Sequence, residues 1–423
     1  MPSSYINSLI LRLCKQPRTF EFISKSMNGL DPIQLKNSLE KLEKVKKLHK
    51  RADMWSAIEK QKTQSKHINN IEDPQLYLKK YMGYFEFLKI PHPLDFEWRN
   101  STASLNYLIN MVQELNSVSD RILFLGMPTL FATACIKDIP QQVTLVERNK
   151  PIVRGLTKLN IDKKRFQILE ADIFKVSPQT IGKYHSVIMD PPWYSPFFYQ
   201  FMWLAAQCVE TGGIVGISLP PINTRPDVDK ERIEWFSFCQ QNGLCLENLY
   251  SQKLHYAMPF FEFNAFRAAG IKDTLPFWRK SDLALFRKVH INKNDRPILE
   301  NQNVDWIERE IDTVRIRVKE NQGEHKQSDL KFSHLIKGDI LPTVSTRDKR
   351  RSLANIWTSG NRVFKVNNSE KFIQLIDEIN NGKSSSKELQ YVVEFIKAIT
   401  ELEKKEFNNY LDWLYHEMER QID

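Results

Sequence analysis

The middle of the chain alternates short apolar runs with longer amphipathic stretches. The apolar runs are typical of buried strands, and the stretches between them have the apolar spacing of helices. Strands are predicted over 122–126, 143–146, 166–169, 187–189, 214–219, 245–250, 261–270 and 282–288. Helices are predicted over 130–136, 152–159, 199–209 and 230–242. This alternation predicts a Rossmann-like, doubly wound α/β fold with a mostly parallel sheet, closed by an antiparallel pair of strands at one edge.

The first 60 residues have a different pattern. Two short helices are predicted over 3–15 and 20–27, the second capped by Thr19, and a third begins at Pro32 with Asp31 as its cap. Two short strands around a basic turn follow within 45–57. Three helices and a hairpin resemble a winged helix, which implies either nucleic-acid contact through the third helix and the hairpin, or protein contact and dimerisation.

The pattern divides the chain into four parts. These are a winged-helix domain over 1–60, a linker and connecting helix over 61–89 (with the helix at 77–88), the Rossmann-like domain over 90–290, and a final part over 291–423. The final part is predicted as a basic, loop-rich segment with one clear strand at 314–318, followed by two helices within 369–420. We therefore expect a mainly helical C-terminal extension.

The composition indicates a cellular location and a class of binding partner. The 423 residues carry a formal net charge of +10, concentrated as net +8 in 1–70 and net +6 in 331–365. Such basic segments favour a nucleic-acid partner. No apolar run approaches the roughly 18 residues of a membrane span, and we expect no signal peptide. Five scattered cysteines without a C-x-x-C pair predict a reducing, cytoplasmic location, and the scattered histidines predict no metal site.

Residues suited to a nucleoside ligand follow four consecutive predicted strands. Gly126 allows close backbone approach, Glu147 is placed to bind ribose hydroxyls, and Asp172 can accept a hydrogen bond from an adenine amino group. The fourth strand ends at Asp190, followed by Pro191. Because the carboxyl ends of parallel strands meet at one edge, we expect these residues to form a single site.

The Asp190-Pro191-Pro192-Trp193 sequence has a specific chemistry. Asp190 is an acceptor, and the two prolines offer carbonyls without competing N–H groups. Trp193 and the following Tyr194 can stack on a planar group. The set suits a planar substrate that bears an amino group, and the alternative is a plain turn that ends a strand.

This ordered series resembles the class I S-adenosylmethionine-dependent methyltransferases over about 90–290, and the Asp-Pro-Pro-aromatic motif resembles their amino-methyltransferase branch. Members act on adenine N6, cytosine N4 or glutamine amides, and a base in a duplex is first flipped out. The resemblance implies that S-adenosylmethionine is bound by Gly126, Thr129, Glu147 and Asp172. It also implies metal-free methyl transfer in which Asp190 and the Pro191 carbonyl hold the target amine, with Pro192, Trp193 and Tyr194 around it.

A second resemblance is to the branched-polyamine synthases, which transfer aminopropyl groups. The chain shares their domain order, the spacing from Gly126 to Leu130, and the Asp-Pro-Pro motif. It differs where Met127-Pro128-Thr129 stands in place of acids and where Trp193 follows the prolines. A third alternative is a catalytically silent module that binds a nucleoside-like ligand.

The basic run over 347–351 is a further candidate. Arg347, Arg350 and Arg351 are predicted either to contact a substrate phosphate backbone or to lie on a solvated loop. A protein partner or a homodimer is also open, through the winged helix or the C-terminal helices.

Overall fold

The computed structural model describes residues 7, 10–11, 13–20, 22–23, 32–58, 85, 87–159, 162–222, 224, 227–271, 276–291, 294–298, 306–319, 329–346, 348–382 and 386–419. Nearly all of the predicted linker over 58–75 and most of the predicted helix over 77–88 lie outside these residues. Asp31 and Arg347 lie outside them as well.

A small three-stranded sheet follows the N-terminal helical residues. Its elements are β1 (Arg18–Thr19), α1 (Pro32–Lys44), β2 (Leu48–Arg51) and β3 (Met54–Ala57). The sheet order is β1-β3-β2, and both pairings are antiparallel. The Thr19 hydroxyl accepts a hydrogen bond from the Phe22 amide at 3.2 Å, as expected of a helix cap. The hairpin is where the pattern predicts it, and the winged-helix assignment stays a prediction.

The central sheet has seven strands in the order β6-β5-β4-β7-β8-β10-β9. They are β4 (Arg121–Leu125), β5 (Gln142–Glu147), β6 (Phe166–Glu170), β7 (Tyr184–Met189), β8 (Val209–Leu219), β9 (Leu244–His255) and β10 (Lys280–Lys288). Strands β4 to β8 pair in parallel, and β10 is antiparallel to both β8 and β9. The predicted Rossmann-like α/β fold is therefore confirmed.

Helices cover both faces of this sheet. They are α2 (Thr102–Leu115), α3 (Pro128–Ile136), α4 (Lys150–Leu156), α5 (Pro178–Ile181), α6 (Ser195–Cys208), α7 (Val228–Gln241) and α8 (Phe260–Ala268). Successive strand residues point to opposite faces. Phe124 thus packs in the core with α2 and α3, whereas Leu125 packs in the core with α6 and α7.

Two predictions near the end of the sheet are wrong. The predicted strand over 261–270 is α8, whose residues Phe260–Ala265 are all buried, so no polar stripe marks a helical period. Pro259 before it and Gly270 after it are the helix signals that the apolar run outweighed. The other strand, β10, does not form an edge: it lies between β8 and β9.

The C-terminal part contains a five-stranded sheet that the sequence pattern largely missed. We call it the second sheet, because it follows the central sheet along the chain. Five antiparallel strands pair in the order β11-β12-β14-β15-β13. They are β11 (Trp306–Ile311), β12 (Val314–Lys319), β13 (Phe332–His334), β14 (Ile356–Thr358) and β15 (Val363–Val366). The expected loop-rich, mainly helical extension is therefore wrong in its first half. Strands of three to six residues carry too few alternations to give a clear signal.

Two helices complete the chain where they were predicted, α9 (Ser369–Asn380) and α10 (Lys387–Glu419). The first half of α10 packs on the second sheet, and Tyr410 near its end packs against Phe260 and Phe263 of α8. In the described part of the chain, no helix combines the length and apolar character needed to cross a membrane.

Candidate active site

The predicted site residues meet at the carboxyl edge of the parallel strands. Gly126, Glu147, Asp172 and Asp190 follow β4, β5, β6 and β7 in turn. Two cavities open at this edge. One, the strand-end cavity, has a volume of about 1150 Å³ and is lined by Glu147, Asp172 and Asp190, among others. The other, the aromatic cavity, has a volume of about 620 Å³.

The aromatic cavity is built from several segments that are distant in sequence. Its rings are Phe96, Trp98, Trp193, Tyr194, Tyr256, Phe266 and Trp278. The two cavities share six lining residues, which we call the throat: Phe96, Glu97, Gly126, Pro128, Asp190 and Pro192. Asp190 is thus one of the residues that border both cavities.

Asp190 is held by three hydrogen-bond donors. Its Oδ1 accepts from the Tyr256 hydroxyl at 3.0 Å and from the Ser218 hydroxyl. Asn100 donates a further side-chain hydrogen bond. Burial raises the pKa of Asp190 to about 6, while these hydrogen bonds and the charge of Arg279 act in the opposite direction. Asp190 is therefore an oriented acceptor that is mainly ionised at neutral pH.

The residues after Asp190 form one wall of the aromatic cavity. Pro191, Pro192, Trp193 and Tyr194 all line it. The Tyr194 amide donates to the Pro192 carbonyl at 2.7 Å, which makes a tight turn before α6. The Trp193 ring lies edge-on to Tyr256 at 5.9 Å. Trp193 and Tyr194 therefore both border this cavity, and their stacking on a substrate and the role of the Pro191 carbonyl stay predictions.

The turn between β4 and α3 combines a glycine of positive φ with a proline in the first turn of the helix. Gly126 has a φ of +62°, a conformation that favours glycine, and its amide donates to the Val146 carbonyl at 3.0 Å. Met127 precedes α3 without a side-chain cap, and Pro128 in its first turn lacks an N–H. Thr129 is buried and lines the aromatic cavity. Neither Gly126 nor Pro128 therefore offers a free amide to a ligand.

Two acids lie along the strand-end cavity at increasing distance from the throat. Glu147 is buried, and its Oε1 accepts from the Asn149 amide at 2.8 Å. Burial raises the pKa of Glu147 to about 7. Asp172 is half-buried; its Oδ1 accepts from the Phe174 amide at 2.9 Å, and its Oδ2 lies 3.9 Å from Arg148. Both carboxylates are fixed by backbone amides and can accept further hydrogen bonds.

An ion pair inside a cluster of tryptophans was missed by the sequence analysis. Arg279 donates to Glu262 at 2.5 Å, and its guanidinium lies 4.8 Å from the rings of both Trp98 and Trp278 and 5.6 Å from that of Trp193. The Trp98 indole N–H donates to Glu262 at 3.3 Å. No local motif marks this cluster, because its members come from four separate segments.

A buried polar network anchors the segment over 90–99 to the C-terminal part of the chain, beside the site. Asp95 pairs with Arg315 at 2.6 Å and with Arg317, both of β12. His92 lies nearby, with its Nε2 3.1 Å from the Trp357 carbonyl oxygen. Burial lowers the pKa of His92 well below its usual value, so it is a neutral structural residue. The signal available in the sequence was the crowding of apolar residues and prolines over 90–99.

The C-terminal part also contributes walls to both cavities. Residues 342–345 line the aromatic cavity, and the Thr346 amide donates to the Tyr194 hydroxyl at 3.4 Å. Trp306, Glu308, Arg309, Glu310 and Arg317 line the strand-end cavity. The second sheet is thus part of the site.

The predicted arginines occupy other positions. Arg350 pairs with Asp348 at 2.6 Å. Arg351 lies 4.3 Å from the Trp357 ring and donates to the Val344 carbonyl at 3.3 Å, so it supports the 342–345 wall. Neither is among the residues that line the two cavities. Their substrate contacts stay predictions.

Comparisons with known proteins concern the fold. No known family profile matches the sequence, and a search of curated proteins finds no match. A mutein of the branched-chain polyamine synthase from Thermus thermophilus, solved with N4-aminopropylspermidine and 5'-methylthioadenosine, is 13% identical, with 71% of this chain and 90% of that chain covered and a TM-score of 0.45. A proposed RNA methyltransferase from Pyrococcus horikoshii is 18% identical, with 51% and 96% covered and a TM-score of 0.36. The magnesium protoporphyrin IX methyltransferase from Synechocystis PCC 6803 with bound SAM is 9% identical, with 44% and 76% covered and a TM-score of 0.30.

The strand order of this chain defines the class of fold by itself. Five parallel strands in the order β6-β5-β4-β7-β8, followed by an antiparallel β10 inserted before β9, form the class I methyltransferase fold. The site lies at the carboxyl ends of the parallel strands, around the gap between β4 and β7. At this gap the strand order reverses, and open α/β sheets bind their ligands at such a position.

Proposed function

We propose that this protein is an S-adenosylmethionine-dependent methyltransferase that acts on an amino group of a planar substrate. The observation that carries the proposal is the position of Asp190. Its carboxylate is at the throat, where the strand-end cavity and the aromatic cavity meet. A cofactor in the first and an amine in the second would both be in contact with it.

The residues of the strand-end cavity fit S-adenosylmethionine in their chemistry and order. Asp172 accepts from the adenine amino group, and the buried Glu147 accepts from ribose hydroxyls. The two throat carboxylates, Glu97 and Asp190, favour a cationic sulfonium. When bound there, S-adenosylmethionine supplies an electrophilic methyl group.

The aromatic cavity presents the acceptor amine to that position. Asp190 accepts a hydrogen bond from the amine and orients the nitrogen lone pair toward the throat, while Trp193 and Tyr194 pack on the plane of the substrate. With its pKa raised to about 6, Asp190 also takes the proton that the nitrogen releases after methylation. No metal is required for any of these roles.

A nucleic-acid base is the substrate class that we favour, with adenine N6 as its first member. The rings of the aromatic cavity suit a base flipped out of its stack. The exposed lysines of α1 and of the turn before β2 would contact phosphates, as a winged helix does. The basic segments support nucleic acid as the partner, and the scattered cysteines support a cytoplasmic location.

Aminopropyl transfer to a polyamine is a second candidate, and one observation favours it. Three carboxylates, Glu97, Asp190 and Glu262, line the aromatic cavity against two arginines, Arg99 and Arg279. A small net negative charge of this kind attracts a polycation. The donor of that reaction is decarboxylated S-adenosylmethionine.

Calorimetric titration with the two donors separates these functions. We expect S-adenosylmethionine to bind more tightly than its decarboxylated form, and the reverse order would support aminopropyl transfer. If neither binds, both enzymatic proposals are wrong and a silent module remains.

Methyl transfer to single-stranded DNA and RNA oligonucleotides then tests Asp190. Asp190→Ala should lower the transfer rate by about 10²-fold or more, with cofactor affinity little changed, because the variant loses an acceptor at the reacting nitrogen. The matched control is Asp412→Ala on the exposed face of α10. Unchanged transfer in Asp190→Ala would contradict the assigned role.

A further inference from the structure

The throat contains a carboxylate that the turn after β4 lacks. In this turn Gly126 is the single glycine, its amide is engaged by Val146, and Pro128 has no N–H. Glu97, which comes from the segment before the sheet, lines both cavities beside Gly126 and Pro128. Its side chain is only 12% exposed.

Glu97 lies near two other acids of the site. It lines both cavities together with Asp190, and it lines the strand-end cavity together with Glu147. Its charge contributes to the raised pKa of Glu147. Glu97 therefore borders the position proposed for the cationic sulfonium.

The position of Glu97 is fixed by its neighbours. Its Oε1 accepts from the Arg99 Nε at 2.8 Å, and Arg99 in turn donates to the Lys89 carbonyl at 2.6 Å. Phe96, directly before it, has a φ of +54°, a strained conformation for a residue with a side chain. The ion pairs of Asp95 with β12 hold this strained turn in place. Arg99 occupies one carboxylate oxygen, and Oε2 can take a second cation.

We propose that Glu97 binds the α-ammonium group of S-adenosylmethionine, in place of an acid in the β4–α3 turn. This inference rests on the proposed function and names a further cofactor-binding residue for it. The throat carries the carboxylates of Glu97 and Asp190, with Glu147 behind them. A primary ammonium gains both a charge-assisted hydrogen bond and this surrounding negative potential.

The test compares two ligands in calorimetric titrations of the full chain. S-adenosylmethionine carries the ammonium, and 5'-methylthioadenosine is a nucleoside thioether without it. In Glu97→Gln we expect about tenfold or greater weakening for S-adenosylmethionine and a change within about twofold for 5'-methylthioadenosine. The amide oxygen of glutamine still accepts from Arg99, so the turn is preserved. Glu394→Gln is the matched control, because Glu394 is exposed on α10 and lines neither cavity, and both of its affinities should be unchanged.

The possible results distinguish the role of Glu97 from the proposed function. Equal affinity of wild type and Glu97→Gln for S-adenosylmethionine would overturn the role of Glu97 and leave the proposed function intact. Equal weakening for both ligands would also overturn it, because the substitution would then act on the nucleoside half. If the wild type binds 5'-methylthioadenosine but not S-adenosylmethionine, the proposed function itself is wrong and the inference fails with it. A Glu97→Asp variant with an affinity between those of wild type and Glu97→Gln would support a direct carboxylate contact.

Discussion

The hydroxyl of Tyr256 donates a hydrogen bond of 3.0 Å to the carboxylate of Asp190. Tyr256 follows β9, and its backbone also forms an isolated antiparallel bridge with Asn100, another donor to Asp190. The acceptor at the throat is thus supported by two segments that β-type pairing holds together. This arrangement gives Asp190 a fixed direction and stabilises its ionised form against burial.

Tyr256→Phe should shift the acid limb of the pH–activity profile. A hydrogen bond to a charged group contributes about 1.5 kcal/mol or more, which corresponds to about one pH unit. Loss of the donor raises the pKa of Asp190 further, so the acceptor form disappears at a higher pH. The measurement is kcat/KM for methyl transfer between pH 5 and 8. Tyr391→Phe, on an exposed face of α10, should leave the profile unchanged. An unshifted profile in Tyr256→Phe would show that Asp190 does not govern the acid limb.

Cofactor affinity should depend on pH through Glu147. Burial raises its pKa to about 7, and the ionised form is the better acceptor for ribose hydroxyls. The carboxylate fraction rises about tenfold between pH 6 and pH 8, so affinity for S-adenosylmethionine should rise by up to about tenfold over this range. Titrations at pH 6, 7 and 8 measure this. Glu147→Gln should bind more weakly at pH 8 and lose most of the dependence.

The same substitution should have the opposite effect on stability. A carboxyl whose pKa is raised on folding stabilises the folded state fully below its unfolded pKa, and this contribution is lost as pH rises through about 7. Glu147→Gln should therefore raise the Tm of the ligand-free protein at pH 8 and have little effect at pH 5. A lower Tm at pH 8 would contradict the burial penalty.

Asp95→Asn should destabilise the protein and loosen the throat. Burial acts to raise the pKa of Asp95, but Arg317 and Arg315 outweigh it and hold this pKa well below its usual value. Removing the charge leaves the buried Arg315, 3% exposed, with Glu308 as its remaining acidic partner, and we expect a loss of about 3 kcal/mol in the free energy of unfolding. Because Asp95 precedes Phe96 and Glu97, affinity for S-adenosylmethionine should fall as well.

Urea denaturation at pH 7 checks this prediction against Asp377→Asn. Asp377 pairs with Arg309 in a more exposed position, with side chains 44% and 29% exposed, so its removal should cost about 1 kcal/mol or less. A depressed pKa contributes stability above the unfolded value, and this contribution is lost in strong acid. The deficit of Asp95→Asn should therefore shrink as the pH falls below about 4. Equal losses for the two variants at pH 7 would contradict the role of burial.

The sequence by itself determined the sheet and the acids along its edge. Strands β4 to β8 are apolar runs that end in recognisable residues, and their alternation with helices predicts parallel pairing. Glu147, Asp172 and Asp190 could be found because each ends its own strand or follows it within two residues. Such signals are local, so one stretch of chain is sufficient to show them.

Only the tertiary structure decided what surrounds those acids. Glu97 and Asn100 come from one segment, and Tyr256 and Arg279 come from two others. All are far from Asp190 in sequence, and no spacing rule connects them to it. The helix α8 was hidden because its fully buried residues show no polar face, and the second sheet was hidden because its strands are short. Packing between distant segments decides which side chains converge on Asp190. The free energy of this packing depends on the assembled fold rather than on any local pattern.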